Sequence, residues 1–220
     1  MTRLEGFVDA TFAFAITVLI IAGQQVPNDI DALLGAFRDV PTFAASIAVL
    51  AIFWKGHWLW SRRFGIEDNV SIYISWAMIF TMLIYVYPLK MVFGAMFATL
   101  SGGELGQRIQ VRTVLQAREL FAVYALGFTA IALEILLLNL RAWYLRAPLQ
   151  LNEREKLMTR AAVEGWGIPV SIGLVSLLFA MFLPPRYFGW SGWIYFSMTL
   201  LVPLHRRWMR RRLARLPNEL

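Results

Sequence analysis

At 220 residues, 59% hydrophobic and 16% charged, the chain is far more apolar than a soluble domain of its size, and it reads as an integral membrane protein. It has no cysteine, which excludes disulfides and thiol chemistry, and its two histidines, His57 and His205, have no carboxylate at metal-ligand spacing, which argues against a metal enzyme. The net charge of +7 does not indicate a nucleic-acid partner, because six arginines crowd the last sixteen residues directly after an apolar segment, where a basic tail meets anionic headgroups or fixes topology.

The apolar residues come in separated blocks rather than alternating ten-residue segments, so spanning helices are expected and not an outer-membrane barrel. The first block, residues 7–23, carries one charge, Asp9, near its start. About 17 to 25 helical residues cross a bilayer core, so this is an expected span. It does not read as a secretory signal, because an acid stands where a signal is basic and further apolar blocks follow. On a helical wheel Thr11, Phe14, Val18 and Ile21 share one stripe, with Asp9 about 140° from Phe14. Two readings stay open: the stripe packs against other helices or lipid, or it lines the axis of an oligomer as a narrow apolar constriction that gates by dewetting.

Next comes a connection in which Asn28-Asp29 caps apolar residues at 30, 33, 34 and 37, the face of a short surface helix. Further spans are expected at 43–60, 72–97, 121–138, 167–183 and 187–204, making six in a single domain with a basic tail over 205–220. The third is long enough to tilt or project. Residues 141–164 read as a helical extension with exposed salt bridges. An even number of spans puts both termini on one side, and that side holds 14 Lys and Arg against five in the opposite loops (Arg38, Arg108, Arg112, Arg118 and Arg186). The positive-inside rule places both termini in the cytoplasm of a cell whose inner (plasma) membrane holds the multi-pass protein.

Ionisable residues inside membrane helices are costly unless paired. Asp9, His57 near the end of the second span, and Asn69 at the start of the third are expected at similar depth, with Arg3 at the edge. They form a candidate polar cluster whose role is either to fix the helices or to relay protons and gate. Lys90 is expected to snorkel to the interface. Glu134, in the middle of the fourth span, is expected to pair with another helix or carry protons. Most tryptophans fall near span ends and read as interface anchors.

Arg3-x-x-x-Phe7-Val8-Asp9 followed by Phe12-Ala13-Phe14-Ala15-Ile16-Thr17, then Trp54-Lys55-Gly56-His57, Asp68-Asn69 and Tyr87-Pro88, resembles the pattern of the transmembrane protein 175 family, potassium channels that lack the usual selectivity sequence. The resemblance covers the first hundred residues in order. It implies a homotetramer of six-span subunits with the first helix of each lining the pore. It also implies a constriction at Phe14, Val18 and Ile21 flanked by Thr11 and Thr17, and an inter-helix network of Arg3, Asp9, His57 and Asn69. Val8 stands where the family usually has serine, and Phe14 where it has Ile or Leu.

The expected protein is therefore an all-α integral membrane protein, not an enzyme. It is read as a homotetrameric channel passing potassium ions with no other cofactor, in contact with membrane lipids. Two rivals remain: a proton channel or proton-coupled transporter using Asp9, His57 or Glu134, and a non-conducting scaffold whose basic tail binds lipid.

Overall fold

The computed structural model describes residues 2–21, 27–106 and 113–215. Gly23, expected to end the first span, and the loop arginines Arg108 and Arg112 lie outside the described residues, as does the end of the basic tail.

Among the described residues the architecture is all-helical: α1 (Arg3–Ile21), α2 (Ile30–Phe37), α3 (Val40–Phe64), α4 (Asn69–Leu100), α5 (Val114–Tyr144), α6 (Glu153–Phe182), α7 (Trp190–Trp193) and α8 (Met198–Leu213). Five of these, α1, α3, α4, α5 and α6, are long and apolar enough to cross a membrane. Their starts follow capping chemistry. Asp29 accepts from the Ala32 amide at 2.6 Å, Asp68 from Ser71 at 3.0 Å, and Thr113 from Gln116 at 3.2 Å. Asn152 and Glu155 form a reciprocal capping box at the head of α6. Each such bond satisfies an amide that the first helical turn leaves without a partner.

The segment expected as a sixth span, residues 187–204, is not one α-helix. It begins with turns, forms the four-residue α7, passes through a 3-10 turn over Ile194–Ser197, and continues as the 16-residue α8, which runs on into the arginine cluster. Gly189, Ser191, Gly192 and Ser197 have weak helix preference, which is the local reason for the break.

In the bundle α5 packs along α6 and α4, while α1 leans on α3 and α4. The seam uses residues spaced three and four apart: Val8, Phe12, Ala15 and Leu19 of α1; Leu50, Phe53, His57 and Trp60 of α3; Ser71, Ser75, Met78, Met82, Tyr85 and Leu89 of α4. Phe53 is the hub, edge-on to Tyr85 and Phe128 and stacked on Trp166. Gly56 lets α6 approach, since a Cβ there would run into the Trp166 ring. The extension of α6 before the expected span carries the surface pairs Lys156–Glu153 at 2.7 Å and Arg160–Glu164 at 2.8 Å.

Candidate functional site

α1 has two unlike faces. Val8, Ala15 and Leu19 are fully buried and Phe12 nearly so, packed into the α3–α4 core. The opposite face, Phe7, Ala10, Ala13, Phe14, Thr17, Ile20 and Ile21, is exposed, with Phe14 at 57% and Ile21 at 66%. Phe7, Ala10, Phe14, Thr17 and Ile21 follow a three–four spacing, the pattern by which one helix meets its like. Thr17 donates to the Ala13 carbonyl at 3.2 Å, and Thr11 to the Phe7 carbonyl at 2.9 Å, so each hydroxyl proton is already used by its own helix. The exposed stripe therefore presents apolar carbon and hydroxyl oxygens rather than free donors.

This face is turned relative to the stripe read from the wheel. Phe14 and Ile21 lie on both, and Thr17 sits at the centre of the exposed one. Val18 is half-buried against the α3–α4 core, and Thr11 is half-buried at the margin.

The four residues of the expected polar network are dispersed within one chain. The Trp54 indole donates to Asp9 Oδ1 at 2.8 Å, at one end of a cleft of about 280 Å³ between α1 and α3 lined by Phe12, Ile16 and Leu50. His57 is fully buried, with Nε2 3.3 Å from the Ser75 hydroxyl. Arg3 and Asn69 are exposed at the first residues of α1 and α4. Among the described residues no hydrogen bond or ion pair joins two of these four. Val8, in the place of the family serine, is packed in the apolar core.

What holds α1 instead is a clamp at each end, and neither was read from the sequence. At its start, Thr2 accepts from the Glu5 amide at 3.1 Å and Glu5 accepts from the Thr2 amide at 3.3 Å, a capping box. Glu67, in the α3–α4 loop, accepts from the Leu4 amide at 3.2 Å. That amide, then the Thr2 hydroxyl, holds the Glu67 carboxyl below its ordinary value. Next to it, burial pushes the Asp68 carboxyl up, but bonds from Ser71 and Arg141 outweigh burial and hold it below its ordinary value. The Arg141 guanidinium reaches Asp68 Oδ2 at 2.8 Å through Nε and 2.5 Å through Nη2. The loop thus ties α1 to α5. The Thr2-x-x-Glu5 spacing was a legible signal; the Asp68–Arg141 pair, 73 residues apart, was not.

At the far end, Lys90 does not snorkel. It is 9% exposed, with Nζ 3.4 Å from the Leu19 carbonyl in the last described turn of α1 and 3.7 Å from Asp39 Oδ2 at the start of α3. The ammonium turns inward because an acid and a helix-terminal carbonyl both face it there. Glu134 is half-buried on α5, with Oε1 2.9 Å from the Thr81 hydroxyl of α4.

Span-length apolar helices, charges at their ends and an exposed apolar stripe on α1 define a helical integral membrane protein. The family model of the endosomal/lysosomal potassium channel TMEM175 matches residues 3–88. A potassium channel of Marivirga tractuosa is 31% identical over 212 residues, covering 92% of this chain and 84% of that protein. The crystal structure of a variant of the potassium channel MtTMEM175, in complex with a nanobody–MBP fusion, matches with a TM-score of 0.82 at 28% identity over 96% of this chain and 93% of that one. The chain belongs to the transmembrane protein 175 family of potassium channels, and these relatives are ion channels rather than enzymes.

Proposed function

We propose that the protein is a potassium-permeable cation channel of the inner (plasma) membrane. Four copies place their α1 helices around a common axis, with both termini in the cytoplasm. Residues 187–204 make the sixth crossing, its helix supplied by α7, the 3-10 turn and the first part of α8, while the arginine cluster that follows on α8 stays at the cytoplasmic surface. Phe14 and Ile21 form the constriction with Val18 at its edge, and Thr11 and Thr17 flank it. Potassium ions are the permeating species, no cofactor is needed, and lipids cover the remaining apolar surface.

The supporting observation is the exposed stripe of α1, which no other element among the described residues covers although the helix lies within the stretch that matches the family. An ion passing rings of Phe14 and Ile21 meets no carbonyl cage. Selection then follows from pore width and the cost of shedding water, and closure from dewetting of the same rings. Arg3 and Asn69, exposed at the helix starts, are placed to bond a neighbouring subunit.

Because the chain has no cysteine, a single Phe14→Cys substitution gives an unambiguous cross-linking probe. The expected result is inter-subunit disulfide on oxidation, while Leu19→Cys on the buried face gives none. Potassium efflux from proteoliposomes should rise in Phe14→Ala. Silent liposomes for both wild type and Phe14→Ala, with Phe14→Cys uncrosslinked, would defeat the proposal.

A further inference from the structure

Glu134 presents a problem of hydrogen count that stands apart from the pore. The Thr81 hydroxyl oxygen lies 2.9 Å from the Ala77 carbonyl of its own helix and 2.9 Å from Glu134 Oε1 across the α4–α5 seam. A hydroxyl carries one proton, so it cannot donate to both acceptors at full strength. With Glu134 ionised, one of the two contacts sets oxygen lone pairs against each other. A proton on the carboxyl resolves this, because the acid O–H donates to Thr81 while Thr81 donates to Ala77. The rest of the surroundings agree. Glu134 Oε2 is buried without a hydrogen-bond partner, and among the described residues no cation lies within ion-pair distance of the carboxyl.

The ionisable groups of the elements packed against α5 are engaged elsewhere or turned away. On α3, His57 bonds Ser75 and Lys55 is exposed. On α4, Lys90 lies against Leu19 and Asp39. On α6, Glu164 bonds Arg160 and His205. Tyr85 of α4 is buried among Phe53 and Tyr124. A carboxylate in the hydrocarbon layer with one neutral donor and no cation is disfavoured against its neutral form.

We propose that Glu134 is a proton-binding site inside the bilayer, occupied at neutral pH, with Thr81 as the switch that reads its state. Loss of the proton would make the carboxylate an acceptor and draw the Thr81 hydrogen away from Ala77, leaving that carbonyl with its backbone helix bond alone. Glu134 is half-buried, and Phe80 and Ile84 of α4 and Leu133 and Leu137 of α5 are exposed on the same two helices. A hydrophobic carbodiimide that dissolves in the hydrocarbon layer is the probe suited to such an acid. The neutral acid adds across a C=N bond and gives its proton to nitrogen, then the acyl group migrates from oxygen to nitrogen. The product is a stable N-acylurea, and nothing leaves.

The test uses the full chain in proteoliposomes treated with dicyclohexylcarbodiimide, followed by peptide mass spectrometry. At pH 7 the expected result is the mass of one carbodiimide on Glu134, with labelling lost at alkaline pH as the proton leaves the carboxyl. In infrared difference spectra of wild type minus Glu134→Gln, a neutral-acid C=O band that shifts in D2O is expected, and Thr81→Val should move its frequency. A Glu134 peptide unmodified at pH 7, or a carboxylate band in place of the acid band, would overturn the proposal. The labelling arm needs no variant and no conduction, so a silent channel leaves this result intact.

Discussion

Replacing Lys90 by Met removes one charge of the clamp at the far end of α1 while keeping most of the apolar stem. The pair is nearly buried, with side-chain exposures of 10% for Lys90 and 6% for Asp39 at a separation of 3.7 Å. At that distance and an effective dielectric of about 20, the attraction is ~4 kcal/mol, and the water stripped from two charges offsets much of it. The substitution is a different matter from the pair's net worth, because it leaves the buried Asp39 carboxylate without the Lys90 ammonium. Breaking one side of a buried pair costs ~3–5 kcal/mol, and the moderate separation puts the expected loss near the lower bound, ~3 kcal/mol or roughly a hundredfold in the folded-to-unfolded ratio. Asp39→Asn should cost less, and the double variant should be less destabilised than the sum of the two by ~1–3 kcal/mol. Lys90→Arg should recover much of the loss. Denaturant unfolding in detergent micelles, followed by tryptophan fluorescence, measures all four. A single-variant loss under ~0.5 kcal/mol, or strict additivity in the double variant, would refute the clamp.

Gly56→Ala should destabilise by ~1–3 kcal/mol, because the added methyl meets the Trp166 ring, and Trp166→Leu should relieve part of that cost in the same unfolding assay. For Glu67 the folded carboxyl is held below its ordinary 4.5, so its contribution is present above that pH and is lost as pH falls through the folded value. Unfolding profiles against pH should show wild type losing stability on acidification. Glu67→Gln should have a flatter profile, and the two should converge at low pH; a Glu67→Gln profile parallel to wild type would count against the role assigned to Glu67.

Much of the architecture was legible because hydrocarbon imposes its own grammar. Spans need long apolar runs, their ends carry charges and caps, and the Asx cap with apolar residues at 30, 33, 34 and 37 forms α2 with its cap on Asp29. The family pattern was legible because its residues cluster in short local strings. The orientation of α1 was not. The helix is apolar all round, and a lipid-facing, pore-facing or core-facing leucine satisfies the same requirement, so periodicity cannot tell which stripe turns inward. Val18 shows this: it shares a wheel stripe with Phe14 and Ile21, yet it packs half-buried against α3 and α4. The region after Pro184-Pro185 reads as one apolar run by composition, but its glycines and serines break the helix, a local effect that hydropathy averages away.

By itself, then, the sequence determined that this is a helical membrane protein of a potassium-channel family, which segments are apolar enough to cross, and where its candidate pore helix begins. Those properties follow from transfer of side chains and backbone out of water, residue by residue. Tertiary structure decided which face of α1 stays exposed and that Lys90 turns in to Leu19 and Asp39. It also decided that Asp9 meets Trp54 and His57 meets Ser75, and that Glu134 shares a hydroxyl with Ala77. The pairings between helices join groups 18 to 71 residues apart, chosen by where the packed helices bring polar atoms within hydrogen-bond reach, and no local pattern encodes that distance.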